Sequence, residues 1–281
     1  MLRTIKINWA DLSKNQPLET PFPAPERIYP GLDEIDPETF PDFLDEIGLV
    51  GMGGSGFDTS EKIRKAAGAH TLVVNGIECE PGVSIDEAVL LKDALWVAAG
   101  ANACAQAIGA KNIVLAVRND RAFHAELENL YGEFRMVGFS DTYPTGAEKL
   151  VLKKLMGTMP PPGVRPYQLG FLIQNVVTLR AIGRAIIDGI PVVERPLALA
   201  MPSIGFYRNI IAPVGIEVRE LLALYKLPFD PSVHFIADSG LMMGKEVERS
   251  DLIEKTTLSI LVLKRDDAWR EEHPCTHCGA C

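Results

Sequence analysis

Three cysteines near the C-terminus of the 281-residue chain have a spacing that suits a metal centre. Cys275, Cys278 and Cys281 follow the pattern C-x2-C-x2-C, with which a ferredoxin loop brings three thiolates to one 4Fe-4S cluster. The fourth cysteine of that pattern would lie beyond Cys281, so we expect the sequence to be truncated. A zinc site completed by His273 or His277, and a tail with unused thiols, are the alternatives.

A second segment could bind the phosphate of a cofactor. It contains Gly51, Gly53, Gly54 and Gly56. Glycine lets a backbone approach a ligand closely, and the helix predicted to follow directs unpaired N–H groups towards an anion. The spacing is not that of G-x-G-x-x-G, and a Walker loop needs Lys and Ser or Thr where this chain has Phe57 and Asp58. Cofactor binding and a purely structural turn remain as two interpretations.

Polar side chains follow the next predicted strand. Asn75, Glu78 and Glu80 come where the strand ends, which is where an α/β sheet binds its ligand. One alternative is that the carboxylates cap a nearby helix. Another is that they are the acid and base of an unrelated α/β enzyme. Pro81 disfavours the latter, because it interrupts the regular strand that would turn both carboxylates to one face.

The elements that must position these residues alternate between strand and helix. The predicted strands include 71–75 and 112–117, and the predicted helices are 60–67, 87–109, 148–156 and 175–188. This alternation is typical of a parallel sheet covered by helices. The fold class is therefore α/β, with the glycine segment ahead of the first of these helices.

Four segments are predicted along the chain. Residues 1–42 contain prolines at intervals that prevent a long helix, which predicts an extended arm. The α/β domain covers 43–189, and short strands around one helix predict a smaller α+β domain over 190–263. Residues 264–281 are a charged linker followed by the cysteine motif.

Composition excludes some classes of protein. The formal net charge is −9 and no run rich in Lys and Arg occurs, which argues against nucleic acid as a partner. No segment approaches the ~20 apolar residues that span a membrane, and the first residues lack the apolar core of a signal peptide. We therefore expect a soluble, cytoplasmic protein without a transmembrane segment.

Five motifs occur in the order found in one family of electron-transfer proteins. They are Gly51-Met-Gly-Gly-Ser-Gly-Phe-Asp-Thr59, Asn75-Gly-Ile-Glu-Cys-Glu-Pro81, Tyr143-Pro-Thr-Gly-Ala-Glu-Lys149, Gln174-Asn-Val-Val-Thr178 and Leu241-Met-Met-Gly244. With these motifs, residues 47–281 resemble the C subunit of the Rnf electron-transport complex. The first four motifs are similar, more distantly, to the FMN-binding flavoprotein subunit of respiratory NADH dehydrogenase. The chain departs from the family at Asp58, where proline is usual, and at 238–241, where Gly-Gly-Pro is usual.

The resemblance implies a Rossmann-like FMN-binding domain with a parallel sheet, a small β-grasp domain of the soluble-ligand-binding type, and the start of a ferredoxin-like iron–sulfur module. It also implies roles for residues within the motifs. The flavin phosphate and ring would contact Gly51, Gly53, Gly54 and Gly56, with Lys62 as a phosphate or ribityl contact. The flavin or a nicotinamide ribose would be held by Asn75, Glu78 and Glu80, the ring flanked by Gly146 and Glu148, and the phosphate region bound by Asn175 and Thr178.

Two further roles follow from the resemblance. Phe57 would stack on a nicotinamide or adenine ring, and an ordinary core aromatic is its alternative. Cys275, Cys278 and Cys281 would ligate a 4Fe-4S cluster whose fourth ligand is missing from this chain.

The implied activity is that of an FMN-dependent, NAD(H)-linked oxidoreductase component. The flavin would divide a hydride into single electrons, and 4Fe-4S clusters would pass them to ferredoxin, cobalamin or a partner oxidoreductase. Glu80 and Glu148 would disfavour the more negative, reduced flavin. Other electron-transfer subunits are the expected partners, in a complex that lies peripherally on the cytoplasmic face of the membrane. A non-enzymatic adaptor with a decayed flavin site is the alternative.

Overall fold

The computed structural model describes residues 16–265 except residues 33 and 141. Its strands are β1 (Leu18–Glu19), β2 (Thr71–Gly76), β3 (Asn112–Arg118), β4 (Arg135–Phe139), β5 (Phe171–Asn175), β6 (Glu194–Met201), β7 (Phe206–Pro213), β8 (His234–Asp238), β9 (Lys245–Val247) and β10 (Ser259–Lys264). Its α-helices are α1 (Phe40–Glu46), α2 (Thr59–Lys65), α3 (Ile85–Lys92), α4 (Ala94–Ile108), α5 (Arg121–Tyr131), α6 (Glu148–Met156), α7 (Val176–Asp188) and α8 (Val218–Leu224).

Four parallel strands form the first sheet, in the order β4-β3-β2-β5. Side chains on alternate positions of β2 enter two different cores. Leu72 and Val74 pack in the core that contains α4 and α7, whereas Val73 packs in the core that contains Val151 of α6. Helices on both faces explain the continuous apolar runs of β2 and β3, and they confirm the predicted helix-covered parallel sheet.

The strand order creates a crevice at the carboxyl ends of β2 and β5. The chain leaves β2 towards β3 and β4 on one side, then returns to β5 on the other side. Ligands of open α/β sheets bind outside the carboxyl ends of strands at such a change of direction. Asn75 and Asn175 are register partners at these two strand ends. The sheet therefore brings residues 100 positions apart in the sequence to one edge.

A mixed six-stranded sheet follows, in the order β1-β7-β6-β10-β8-β9. Strands β6 and β7 form an antiparallel hairpin, and β10 lies parallel to β6 at the centre. Helix α8 packs its Leu221 against this sheet in the core that includes Leu197 and Ile260. The N-terminal arm adds β1 parallel to β7. In the described part of the arm, from residue 16, no helix precedes α1, which begins at Phe40.

The single helix predicted over 87–109 is wrong. Helix α3 ends at Lys92, α4 begins at Ala94, and the two are bent by 93°. At the bend, a carboxylate oxygen of Asp93 accepts a hydrogen bond from Nε of Arg180 at 2.5 Å, and both residues are buried. The helix changes direction at a residue held by a partner 87 positions away, which helical periodicity does not reveal.

Elements α5, β4 and β5 were not predicted. In α5, Phe123, Leu127 and Tyr131 are buried at helical spacing, a signal that the prediction did not use. Across the described part of the chain, no single helix has the length and apolarity to cross a membrane, although the bent pair α3 and α4 meets that test jointly.

Candidate functional site

The glycine segment closes into a tight loop. The N–H of Gly51 donates to the carbonyl of Phe57 (2.8 Å), and the N–H of Gly56 donates to the carbonyl of Gly51 (3.1 Å). Gly54 and Gly56 have φ of +93° and +61°, a region that residues with a side chain rarely adopt. Glycine at these two positions is therefore a conformational requirement of the loop.

Met52 holds the loop against the start of α7. Its N–H donates to Oγ1 of Thr178 at 2.9 Å, and its side chain is fully buried. Beside it, a Cβ atom on Gly53 would lie 2.9 Å from Cβ of Asn175. The loop thus lies at the carboxyl end of β5, directly against the predicted residues Asn175 and Thr178.

The outer part of the loop offers hydrogen-bond donors. Gly53, Gly54 and Ser55 are exposed, and their amides donate to no other residue in the described ranges. Successive N–H groups in a turn that includes a left-handed residue form a concavity that binds anions. This part of the loop therefore has the donor set that a phosphate requires.

Asp58, where the family usually has proline, caps α2. Its Oδ1 accepts hydrogen bonds from the N–H of Glu61 (3.0 Å) and the hydroxyl of Ser60 (2.8 Å). These bonds hold the pKa of Asp58 below its usual value. The departure from the family pattern therefore has a local role at the end of the loop.

The asparagines at the two strand ends share a network with a carboxylate that the sequence analysis missed. Nδ2 of Asn75 donates to the carbonyl of Gly146 at 3.0 Å. Oδ1 of Asn175 accepts from the N–H of Val177 (2.9 Å), while its Nδ2 lies 3.3 and 3.2 Å from Oδ1 and Oδ2 of Asp86. Asp86 is only 8% exposed. In sequence it is one more acid in the first turn of a helix, so only the fold distinguishes it.

Glu78 and Asp86 form a buried pair of carboxylates. Oε2 of Glu78 accepts from the N–H groups of Asp86 (2.7 Å) and Glu87 (3.2 Å), so Glu78 caps α3. Glu78 thus has the helix-capping role that the sequence analysis gave as an alternative. Burial raises the pKa of Asp86 to about 7, and burial together with the charge of Asp86 raises the pKa of Glu78. The pair therefore retains a proton at pH values where exposed carboxylates are ionised.

We expect Asp86→Asn to stabilise the protein at pH 8 but not at pH 4.5. The folded-state pKa of Asp86 is about 7, against an ordinary 3.8. Between these two pH values the folded protein keeps a proton on Asp86 that the unfolded chain has already released, and the folded protein loses it as the pH rises to about 7. The wild type therefore loses stability as the pH rises from about 4 to about 7, by roughly 4 kcal/mol. Urea unfolding of both proteins at the two pH values measures the difference. Glu26→Gln, on the exposed arm, is the control, and a pH-independent difference for Asp86→Asn would contradict the prediction.

Glu80 lies where the two sheets meet. Its Oε1 accepts from the N–H of Met242 at 2.6 Å, and burial raises its pKa. Its other oxygen, Oε2, is buried without a hydrogen-bond partner among the described residues. The segment that contacts it begins with Ser239 and Gly240, whose φ values are +68° and +99°. This segment is where the chain departs from the family's usual Gly-Gly-Pro. Ser239 and Gly240 both have a left-handed backbone conformation.

Lys62 and Glu148 are paired. Nζ of Lys62 donates to Oε1 of Glu148 and to the carbonyl of Ile173, both at 2.6 Å. The Lys62 side chain is mostly buried, so the ammonium neutralises Glu148 at the start of α6. Its third N–H is available to a ligand.

Phe57 is 41% exposed, so its interpretation as a core aromatic is wrong. Cys275, Cys278 and Cys281 lie outside the described residues. Within residues 16–265, where described, no group of three or more His, Cys, Asp or Glu side chains is arranged to hold a metal ion.

Most of the predicted residues meet at the crevice between β2 and β5. The loop contacts Asn175 and Thr178, and Asn75 contacts Gly146. Glu80 borders the second sheet, while Glu78 is turned to α3. A glycine loop with exposed amides at a change of strand direction is the arrangement of an α/β cofactor-binding protein.

Comparison with known proteins agrees with this class. A family model described as the Nuo51 FMN-binding domain matches residues 44–184. The chain belongs to this family.

Curated relatives, each named as the C subunit of an ion-translocating oxidoreductase complex, confirm the resemblance to the Rnf protein. The one from Edwardsiella ictaluri is 28% identical over 261 residues, which cover 90% of this chain and 32% of the relative. The one from Pseudomonas aeruginosa is 32% identical over 244 residues, which cover 83% of this chain and 31% of the relative. The chain thus spans about a third of the length of these relatives.

Solved structures share the fold. Crystal structures of an NAD+-reducing [NiFe]-hydrogenase superpose with TM-scores of 0.63 in the air-oxidized state and 0.61 in the H2-reduced state. Each is 21% identical; the matched regions cover 82% and 81% of this chain and 47% of the hydrogenase chain.

Proposed function

We propose that this chain is the FMN-carrying part of an electron-transfer oxidoreductase. The observation that carries the proposal is the set of exposed amides at Gly53, Gly54 and Ser55, which donate to no other described residue and lie at the crevice between β2 and β5. The family to which the chain belongs is described as FMN-binding. A phosphate group fits these amides, with the hydroxyl of Thr178 anchoring the loop behind them.

The remaining donors and acceptors also fit FMN. The orphaned Oε2 of Glu80 is an acceptor for a hydroxyl group of the ribityl chain, or of a nicotinamide ribose. Asn75 and Gly146 form one wall, held together by their hydrogen bond. Gly146 also packs against Cys79, to whose sulfur its N–H donates at 3.3 Å. A larger residue at position 146 would narrow the crevice beside this wall.

Bound FMN would supply the conversion of a hydride into two separate electrons. The protein binds and orients it, and sets the charge around it. Lys62 compensates the charge of Glu148 through direct contact, whereas Glu80 is bonded, among the described residues, only to backbone amides of residues 241–243. Glu80 is therefore the carboxylate with the larger expected effect on the flavin potential. The segment that begins at Ser239 shields Glu80 from water.

We further propose NADH as the hydride donor and 4Fe-4S clusters as the route to the acceptor. Exposed Phe57, next to the loop, supports a stacking contact with a nicotinamide or adenine ring. The cysteine spacing at 275–281 supports a cluster, and the strand order of the second sheet, with its central parallel pair, supports a β-grasp domain. Ferredoxin, cobalamin or a partner oxidoreductase would accept the electrons, in a complex with further subunits on the cytoplasmic membrane face.

An anaerobic absorption spectrum of the purified chain, supplemented with FMN, tests the proposal. We expect stoichiometric FMN binding and bleaching of the flavin absorbance when NADH is added. Acid extraction identifies the released flavin. If the protein binds FMN but NADH does not bleach it, the proposal of NADH as hydride donor fails and the proposal of a flavoprotein stands. A protein that does not bind added FMN would overturn the proposal and favour the alternative of a non-enzymatic adaptor.

A further inference from the structure

Arg195, in β6 of the second sheet, is a fully buried cation. Its residue exposure is 0%. Among the described residues no carboxylate lies within 4 Å of its guanidinium, in contrast to Arg180, which has two carboxylate partners. Burial lowers the pKa of Arg195 to about 9, so the group is still a cation at neutral pH. A buried charge without a paired carboxylate is costly, and its hydrogen bonds must compensate.

Within the described part of the chain, all hydrogen bonds of the Arg195 guanidinium go to backbone carbonyls. Nε donates to Pro196 (3.0 Å) within its own strand, and one terminal nitrogen donates to Lys255 (2.5 Å) in the segment before β10. The other terminal nitrogen donates to the carbonyl of Met52 (3.4 Å) in the glycine loop. One guanidinium therefore ties the second sheet, the segment before β10 and the glycine loop together.

The backbone of Met52 is held by hydrogen bonds from two different elements. The N–H of Met52 is held by Thr178 from α7, and its carbonyl is held by Arg195 from β6. The exposed amides of the loop begin at the next residue. On the outer side, Cβ atoms at Gly54 and Gly56 would lie 3.3 Å from Leu258 and 3.2 Å from Thr256. The segment before β10 thus packs against the outer side of the loop.

The charged groups around Arg195 come from both sheets. Asp86 at the start of α3 and Asp238 at the end of β8 are the carboxylates whose charges act on it. Asp86 in turn accepts from Asn175, against which Gly53 packs. The cation therefore lies within the network that borders the crevice.

We propose that Arg195 is a positioning residue of the flavin site: it fixes the glycine loop from the second sheet and adds positive charge behind the phosphate-binding amides. The proposal rests on the proposed function, because it concerns the same loop. It also makes the second sheet a structural component of the flavin site, which the glycine motif alone does not indicate.

The test compares Arg195→Met and Arg195→Lys with the wild type. FMN affinity is measured by quenching of flavin fluorescence, and the flavin midpoint potential by anaerobic titration. Hydrogen exchange at the hydrogen-bonded loop amides of Met52 and Gly56 is measured in the FMN-free protein. We expect Arg195→Met to weaken FMN binding about ten- to a hundredfold, to accelerate exchange of these amides, and to lower the midpoint potential, because reduced flavin carries more negative charge. Arg195→Lys should keep the potential near that of the wild type while it recovers only part of the affinity.

Leu221→Ala is the control for a general loss of stability. It removes a core side chain from α8 on the same sheet and has no contact with the loop. It should lower the melting temperature without changing FMN affinity, potential or loop exchange. If Arg195→Met fails to fold, Arg195→Lys decides through its affinity and loop exchange.

Wild-type values for affinity, potential and exchange in the Arg195 variants would overturn this inference and leave the proposed function intact. Failure of the wild type itself to bind FMN would instead overturn the proposed function. In that case the exchange experiment still decides whether Arg195 fixes the loop.

Discussion

Gly53→Ala should weaken FMN binding by about 100-fold. The new Cβ would lie 2.9 Å from Cβ and 3.1 Å from Cγ of Asn175. Asn175 cannot move aside, because its side chain caps α7 through Val177 and is bonded to Asp86. The loop would have to shift away from α7 instead, and this would displace the exposed amides from the crevice. Titration of FMN, followed by fluorescence quenching, measures the loss.

Gly132→Ala is the matched control for Gly53→Ala. Gly132 follows α5, its φ is −46°, and a Cβ there would lie 3.3 Å from the carbonyl oxygen of Glu128. We expect its FMN affinity to equal that of the wild type. Wild-type affinity in Gly53→Ala as well would show that the loop is not where the phosphate binds.

Gly183→Ala should destabilise the whole protein by about 3 kcal/mol. Helices α4 and α7 cross with their backbones in contact, and a Cβ on Gly183 would overlap the carbonyl oxygen of Trp96. Gly100 makes the reciprocal approach to the carbonyl of Leu179. The helices would have to separate, which opens the main core between them. Urea unfolding followed by circular dichroism measures the change.

Gly157→Ala separates the effect of the crossing from that of a lost glycine. Gly157 ends α6 with a φ of +77° and has nothing within 4 Å of a Cβ. Its replacement costs only the left-handed backbone conformation, about 1 kcal/mol. Equal losses of unfolding free energy at positions 157 and 183 would mean that helices α4 and α7 adjust freely, contrary to the prediction.

Because α7 carries Thr178 and begins next to Asn175, Gly183→Ala should also weaken FMN binding.

The sequence was most informative where physical chemistry is local. Alternating apolar runs and helical periods predicted the covered parallel sheet, and α6 was predicted with its observed bounds, Glu148–Met156. The glycine spacing located a loop that requires left-handed φ values at Gly54 and Gly56. Asn75 could be proposed as a site residue because it lies at the end of a predicted strand, whereas Asn175 came only from the family resemblance. The parallel sheet brings both residues to one edge.

Distant contacts decided the rest. The bend at Asp93 depends on Arg180, and the capping role of Glu78 depends on where α3 begins. Asp86 and Arg195 carry no motif, and they enter the site only because two sheets meet beside the glycine loop.

The sequence by itself therefore determined the class of fold, the glycine loop and the strand end that carries Asn75, since backbone conformation and hydrophobic period are properties of neighbouring residues. Only the tertiary structure decided which charges are buried, which carboxylates have a raised pKa, and which element of the second sheet holds the loop. Those properties depend on desolvation and on contacts between residues more than 80 positions apart, such as Asn175 with Asp86 and Arg195 with Met52.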